Sequence, residues 1–204
     1  MKLAIASSIL ALGLVSFACK DDDDNDGQTI ENIPNQLSGD YKTACTENSA
    51  LGLTSSTREL SFSSVGDFDR KEVYFTNDNC TDVAGLTYRV VGTASVPGKL
   101  PENVELDVIN FQIGEAYITP GNQALTDTLN ATSFCGVKDW ALNVEKSIAD
   151  LQCNDFAIKK GEVIQDVYDD RDGTLFFGKK FALLLNEDDA RPTEVDLSLP
   201  YNKQ

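Results

Sequence analysis

This chain of 204 residues contains five cysteines and no histidine. These two facts limit the reactions that its side chains could catalyse. Without an imidazole, the triads that activate serine or cysteine as a nucleophile have no base. The cysteines show no C-x₂-C spacing, which is typical of zinc and redox sites. We therefore expect no catalytic residue, no metal ligand and no cofactor. A hydrolase that uses two of the many carboxylates stays an alternative.

Cys19 follows a segment typical of a secretory signal peptide. Met1 and Lys2 precede an uncharged stretch at residues 3–15, which as a helix rising about 1.5 Å per residue is too short for a hydrocarbon core of about 30 Å. Residues 16–18 then lead directly to the cysteine. This arrangement resembles the lipobox of bacterial lipoproteins, which implies cleavage before Cys19, acylation of its thiol and anchoring in a lipid bilayer. The alternative is a soluble exported protein whose Cys19 merely lies near the cleavage point.

An acidic run follows Cys19. Residues 20–26, KDDDDND, carry like charges that repel one another and stay solvated. Directly after an acylated cysteine, such a run resembles the export signal of surface lipoproteins in some Gram-negative bacteria. That resemblance implies the outer face of the outer membrane, whereas a simple spacer would leave the protein on the periplasmic face. We expect a signal peptide at 1–18, a lipidated, flexible tether at 19–37 and a folded domain at 38–204.

The charge balance restricts the partners of the protein. It has 33 acidic and 17 basic side chains and a formal net charge of −16. Nucleic-acid binding requires a basic surface, so we expect no nucleic-acid partner. No feature of the sequence identifies a protein partner.

The other four cysteines are an even number in a chain with an export signal, which favours disulfide bonds. Four cysteines allow three connectivities. We prefer Cys45–Cys80 with Cys135–Cys153, because each bond closes a moderate loop around one structural unit. By the chain-entropy model, such loops stabilise a fold by about 3–4 kcal/mol each.

The chain after Gly39 reads mainly as β-strands. Residues 88–96 alternate, with Tyr, Val, Gly, Ala and Val on one face, as in a half-buried strand. Between residues 104 and 113 the apolar positions shift by one. This shift predicts a β-bulge or a bend near Val108 and Ile109.

Two β-rich runs, at residues 163–168 and 174–181, flank an Asp/Gly cluster and predict a hairpin. The cluster, DDRDG at residues 169–173, also contains part of a calcium-loop pattern. Lys179 stands where that pattern needs its bidentate glutamate, so a hairpin turn is the better interpretation. Residues 195–199 alternate apolar and polar side chains and predict the last strand.

One segment departs from the strand pattern, with apolar residues at spacings of three and four. They are Val137, Trp140, Ala141, Val144, Ile148 and Leu151. This spacing predicts a helix of about twelve residues packed on the sheet. The alternative is a strand at residues 140–144 followed by a turn.

The strand pattern resembles that of small bacterial lipoproteins with a lipocalin-like barrel. The resemblance rests on Gly39-Asp40-Tyr41, where lipocalins have Gly-x-Trp, on LFFG at residues 175–178 and on RPT at residues 191–193. It implies an all-β, mainly antiparallel fold: a lipocalin-like β-barrel with one short helix. An eight-stranded barrel of this kind is either filled by side chains or holds one small ligand.

Four aromatic residues are candidates to line a ligand pocket: Tyr88, Phe111, Tyr117 and Trp140. With the anchor at Cys19, they lead to a first hypothesis, a membrane-anchored extracytoplasmic lipoprotein that binds a small apolar ligand in its barrel. The alternative is a non-catalytic surface interaction or adhesion module with a filled core. A cavity inside the barrel favours the first hypothesis, and an exposed apolar patch favours the second.

Overall fold

The computed structural model of the chain describes residues 35–154, 156–178 and 191–204. The expected signal peptide, the lipidation site Cys19 and the acidic run therefore lie outside the described residues, as does the end of the strand expected at 174–181. Leu37, which the sequence places at the end of the tether, is fully buried in the core. The folded part of the chain thus begins before residue 38.

The described residues form twelve β-strands, one α-helix and two short 3₁₀ turns. The strands are β1 (Gly39–Lys42), β2 (Thr46–Ala50), β3 (Leu53–Phe62), β4 (Asp67–Phe75), β5 (Leu86–Leu100), β6 (Asn103–Pro120), β7 (Lys146–Ser147), β8 (Gln152–Cys153), β9 (Phe156–Ala157), β10 (Val163–Arg171), β11 (Thr174–Phe177) and β12 (Tyr201–Lys203). The helix α1 covers Gln123–Thr132, and the 3₁₀ turns cover Asn35–Leu37 and Phe134–Gly136.

Eight of these strands close into an antiparallel barrel. The hydrogen-bonded order is β3, β4, β5, β6, β10, β11, β12 and β1, and β1 closes the ring by pairing with β3. Outside the ring, β2 pairs with β3, β7 pairs with β6, and β8 pairs with β9. The prediction of an all-β, mainly antiparallel barrel with one short helix is confirmed.

Side chains alternate between the interior and the outer face along β5. Tyr88, Val90 and Ala94 are buried in the main core, and the residues between them are partly exposed. This is the face that the sequence pattern predicts for residues 88–96. Alternation is reliable here because the strand has one buried and one solvated face.

A β-bulge lies next to Val108 and Ile109, but the extra residue is in β5 and not in β6 itself. Val108 packs in a small second cluster on the outer face, whereas Ile109 belongs to the main core. Residues 107–112 pair with β10 without interruption. The register shift lies on the other side, where β5 has an extra residue between Ser95 and Gly98. Both faces of β6 are buried at this point. The prediction assumed that only one face of the strand is buried, so it interpreted the second row of apolar residues as a change of face.

The predicted hairpin between β10 and β11 is present. β10 extends to Arg171, so the turn contains only Asp172 and Gly173, with φ of 54° and 85°. Positive φ at both positions is required in a type I′ turn, which explains the Asp-Gly pair. Asp170 Oδ1 accepts a hydrogen bond from Gly173 N at 2.9 Å. The acidic cluster thus builds the turn, and among the described residues no three His, Cys, Asp or Glu side chains gather as a metal site.

The last strand lies later than the sequence pattern predicts. Val195 makes an isolated bridge to Gly178, and the chain then turns. Asp196 Oδ1 accepts hydrogen bonds from Ser198 N at 2.9 Å and Ser198 Oγ at 2.6 Å. β12 begins at Tyr201. The prediction for residues 195–199 was wrong because Asp and Ser that bond to local backbone give a turn the same alternating composition as a strand.

The helix predicted between Val137 and Leu151 was also placed wrongly. α1 lies earlier, where Asn122 accepts a hydrogen bond from Leu125 N at 2.8 Å and so caps its first turn. The backbone of Trp140 instead bonds to the side chain of Asn130 in α1. Asn130 Nδ2 donates to Trp140 O at 2.9 Å, and Asn130 Oδ1 accepts from Trp140 N at 2.7 Å. No helix within the described ranges reaches the length and apolar content that crossing a bilayer requires.

Two disulfide bonds connect the loops of the barrel. Cys45, between β1 and β2, bonds to Cys80 in the β4–β5 connection, and Cys135, after α1, bonds to Cys153 of β8. This is the pairing that the loop lengths favour. Disulfides persist in oxidising compartments, so they indicate an extracytoplasmic location.

Candidate functional site

Aromatic rings occupy the interior of the barrel. The ring centroid of Phe111 lies 5.1 Å from that of Phe68 and 6.3 Å from that of Phe62. Phe177 lies 6.1 Å from Phe111 on the other side and 5.3 Å from Tyr201. Contacting aromatic pairs have centroids about 4.5–7 Å apart. Side chains therefore fill this part of the barrel.

The four candidate ligand-lining residues do not share one cavity in the described part of the chain. Tyr88 and Phe111 point into the barrel and are fully buried. Tyr117 lies on the outer face of β6, with the guanidinium of Arg89 5.7 Å from its ring centroid. Trp140 is buried between α1 and β7. Only the first two reach the same interior, and a ligand role for any of the four stays a prediction.

The interior also holds charged side chains, which the sequence analysis missed. Arg70 and Glu72 of β4 are fully buried, and Arg58 of β3 is 8% exposed. The strand register places Arg58 directly opposite Glu72, and Arg70 lies two residues earlier on the same face of β4. We name Arg58, Arg70 and Glu72 the buried charge cluster.

Glu72 joins the members of the buried charge cluster. Its Oε1 accepts hydrogen bonds from Asn48 Nδ2 at 2.7 Å, Ser56 Oγ at 2.8 Å and Arg58 Nε at 2.9 Å. Its Oε2 accepts one from Arg70 Nη2 at 3.0 Å. A buried charge persists in a fold only when it is paired and hydrogen-bonded. Glu72 meets both conditions.

These contacts fix the protonation state of Glu72. Burial opposes ionisation, but the guanidiniums of Arg70 and Arg58 and the hydrogen bonds from Arg58 and Ser56 outweigh burial, and the pKa of Glu72 lies below its ordinary value. Burial likewise opposes the charge on Arg58, yet the neighbouring Glu72 holds the pKa of this guanidinium above its ordinary value. Glu72 and Arg58 are therefore ionised in the folded protein.

The lowered pKa of Glu72 can be compared with the pKa that the alternative hypothesis, a hydrolase that uses two carboxylates, requires of its general acid. A general acid in such an enzyme needs a raised pKa so that it holds a proton near neutral pH. The pKa values of Glu59, Glu115 and Asp139 are lowered as well, which is the opposite direction to the one that this role requires.

A signal for the cluster was present in the sequence. In β4 the period-two face that contains Phe68 and Tyr74 also contains Arg70 and Glu72. No strand was predicted at residues 68–72, so the two charged residues were not assigned to an inward face. The alternation from Phe68 to Tyr74, followed along the whole strand, would have placed both charges in the core.

A pocket of about 230 Å³ opens at one end of the barrel beside the buried charge cluster. Its lining includes the donors Arg58 and Tyr201, the apolar Phe177 and Leu199, the carboxylates Glu47 and Asp196, and the neutral polar side chains Thr46, Asn48 and Ser198. We name this the end pocket. It contains none of the four predicted ligand-lining aromatics. Another depression, of about 490 Å³, lies at the opposite end of the barrel around the β3–β4 turn.

Three parts of the barrel thus bear on function: the filled aromatic interior, the buried charge cluster and the end pocket. Arg58 belongs to both the cluster and the pocket, and Phe177 and Tyr201 belong to both the interior and the pocket. The end pocket therefore connects the buried core of the barrel with the solvent. No protein-family model matches the chain, and no curated protein is significantly similar to it.

Proposed function

We propose that this protein is a lipid-anchored, extracytoplasmic, non-catalytic lipoprotein that binds a small molecule at one end of its β-barrel. The observation that carries the proposal is the end pocket of about 230 Å³, which combines apolar side chains with a guanidinium. Pockets for drug-sized ligands measure about 300–1,000 Å³, so the ligand is smaller than these. Phe177 and Leu199 suit its apolar part.

The ligand binds at the end of the barrel because the centre is occupied. Phe111 and the rings around it lie in van der Waals contact across the interior. A ligand in the barrel centre would have to displace them, whereas the end pocket requires no such rearrangement. This changes the position of the ligand site from the one expected from sequence but keeps the class of function.

The position of the end pocket is compatible with anchoring through Cys19. β1 begins with Gly39 beside Phe62 and runs to Lys42 beside Glu59. Arg58 lies beyond that end of β1, so the pocket opens away from the point at which the chain enters the barrel. As a coil, the roughly 16 residues between Cys19 and the first described residue would have a mean reach of roughly 20–25 Å, which would keep the domain near the outer membrane and its pocket accessible.

A Cys19→Ala variant tests the anchor. We expect the variant to move from the membrane fraction to the soluble fraction, because two or three acyl chains would otherwise hold the protein firmly at about 0.8 kcal/mol per buried CH₂. An Asn25→Ala variant, also ahead of the domain, should stay in the membrane fraction and serves as the control. Continued membrane association of Cys19→Ala would contradict acyl anchoring. Protease treatment of intact cells then separates a surface location from the periplasmic face.

Native mass spectrometry of the full-length protein tests ligand binding. We expect the protein purified from its own envelope to carry a small molecule that is released on denaturation, since a pocket continuous with the core favours burial of an apolar group. Organic extraction of the same sample should recover that molecule in roughly stoichiometric amount. Protein that carries no such molecule, and takes none up from an envelope extract, would refute the proposed binding function.

The packed interior also favours a second candidate, a non-catalytic surface interaction module that has no small ligand. Exposed apolar side chains occur on the connections between strands, including Leu51, Val83 and Val144. They are the residues through which such a module would contact a partner. The absence of a bound molecule in the mass spectrometry experiment would support this candidate instead.

A further inference from the structure

We propose that the end pocket binds a small monocarboxylate, held by Arg58 and Tyr201, with its apolar part against Phe177 and Leu199. The inference rests on the proposed function, because it names the ligand class of the same pocket. It follows from three properties of the lining: N–H groups of Arg58 beyond those bound by Glu72 and Tyr201, a buried hydroxyl without an acceptor, and the distribution of charge.

Glu72 binds one edge of the Arg58 guanidinium. Its Nε donates to Glu72 Oε1 at 2.9 Å, and Glu72 is the one carboxylate bonded to it among the described residues. The guanidinium lines the end pocket. Its other side-chain partner among the described residues is the hydroxyl oxygen of Tyr201, which leaves further N–H groups of Nη1 and Nη2 for a ligand. Two adjacent N–H groups of a guanidinium match the two oxygens of a carboxylate in geometry and charge. Arg58 is thus pre-positioned to bind an anion.

Tyr201 supplies a second donor. Its hydroxyl is buried and has no acceptor among the described residues, although its ring packs against Phe177 at 5.3 Å. The guanidinium of Arg58 cannot satisfy this O–H, because a guanidinium has no acceptor. Buried hydroxyls are normally hydrogen-bonded. A carboxylate oxygen on Arg58 would provide the missing acceptor.

The charges of the lining select a single negative charge. Glu72 is shared between Arg58 and Arg70, so the carboxylate does not fully neutralise Arg58. Glu47 and Asp196 also line the pocket, and their negative charges disfavour a ligand with two or more negative charges, such as a phosphate. The same carboxylates would tolerate an ammonium group. The lining therefore fits a monocarboxylate, either purely apolar or zwitterionic.

Calorimetric titration of the full-length protein in detergent tests this inference, with hexanoate and its neutral isostere hexanamide as probes. We expect hexanoate to bind at least about tenfold more tightly than hexanamide, because charge-assisted hydrogen bonds are about twice as strong as neutral ones. L-Leucine serves as the zwitterionic probe and shows which kind of monocarboxylate the pocket prefers. Titration of each probe into detergent alone corrects for partition into micelles.

Two tyrosine variants locate the binding. Tyr201→Phe removes only the hydroxyl and should weaken hexanoate binding by about tenfold or more, the effect of one hydrogen bond to a charged group. Tyr168→Phe is the matched control, since Tyr168 is equally buried but lies outside the end pocket, and it should bind hexanoate like the wild type. Neither variant removes a member of the buried charge cluster, so both should fold.

The outcomes separate this inference from the proposed function. Equal binding of hexanoate and hexanamide, or no effect of Tyr201→Phe, would overturn the carboxylate inference and leave a small-molecule pocket. No binding of any of the three probes would also overturn it. In that case the co-purification experiment alone decides whether the protein binds another kind of small molecule.

Discussion

A Glu72→Gln variant is expected to lose about 3–5 kcal/mol of unfolding free energy, the usual cost of removing one partner from a buried ion pair. Glutamine keeps the size of the side chain and an oxygen that can accept from Asn48 and Ser56. What it removes is the charge that faces the buried guanidiniums of Arg58 and Arg70. Urea unfolding followed by the fluorescence of Trp140, the only tryptophan, measures the loss.

Glu59→Gln is the matched control. Glu59 lies on β3 and pairs with Lys42 at 2.9 Å and Lys71 at 3.4 Å, but its side chain is 39% exposed. Exposed ion pairs contribute about 0–1 kcal/mol, so this variant should remain close to the wild type. If Glu59→Gln and Glu72→Gln lost similar amounts of unfolding free energy, burial would not explain the contribution of the buried charge cluster to stability.

The pH dependence of Glu72→Gln follows from the lowered pKa of Glu72. A carboxyl whose folded-state pKa is below its unfolded value of 4.5 stabilises the fold fully above that pH. The contribution is lost as the pH falls through the folded-state pKa. The difference in unfolding free energy between wild type and variant should therefore be constant from neutral pH down to about 5 and narrow below about 4.5. A difference that widens with acid would contradict this sign.

A Phe111→Ala variant is expected to cost about 3–5 kcal/mol of unfolding free energy, as other buried Phe→Ala changes do. Phe111 is fully buried, and its ring contacts rings from three other strands, at Phe62, Phe68 and Phe177. Its removal leaves a cavity that several large rigid rings cannot close. The same urea titration measures the loss.

Phe176→Ala is the control for Phe111→Ala. Phe176 alternates with Phe177 on β11 and is only partly buried, with the guanidinium of Arg171 5.1 Å from its ring centroid. Loss of an exposed cation–π contact is expected to cost about 0.5–1 kcal/mol. If Phe111→Ala cost no more than Phe176→Ala, the interior would not be packed around Phe111. A ligand cavity in the barrel centre would then return as the better hypothesis.

The sequence determined the features that depend on local pattern. Alternation along residues 88–96, the Asp-Gly turn at residues 172–173 and the loop lengths between cysteines are each set by short stretches of chain. From these came the all-β antiparallel barrel, the hairpin and the disulfide pairing. The helix and the last strand were misplaced because local turns at residues 137–151 and 195–199 imitate the periodicity of regular elements.

The candidate site was decided by the tertiary structure. Arg58 and Glu72 lie on different strands, and only the β3–β4 register places them opposite each other. Tyr201 joins Arg58 because β12 closes the ring with β1, which brings together residues 143 positions apart (201 − 58). Sequence pattern reports which face of one strand is buried. It does not report which side chains from distant strands meet in the interior. That depends on the closure and stagger of the barrel, and both are fixed by pairing between residues far apart in the chain.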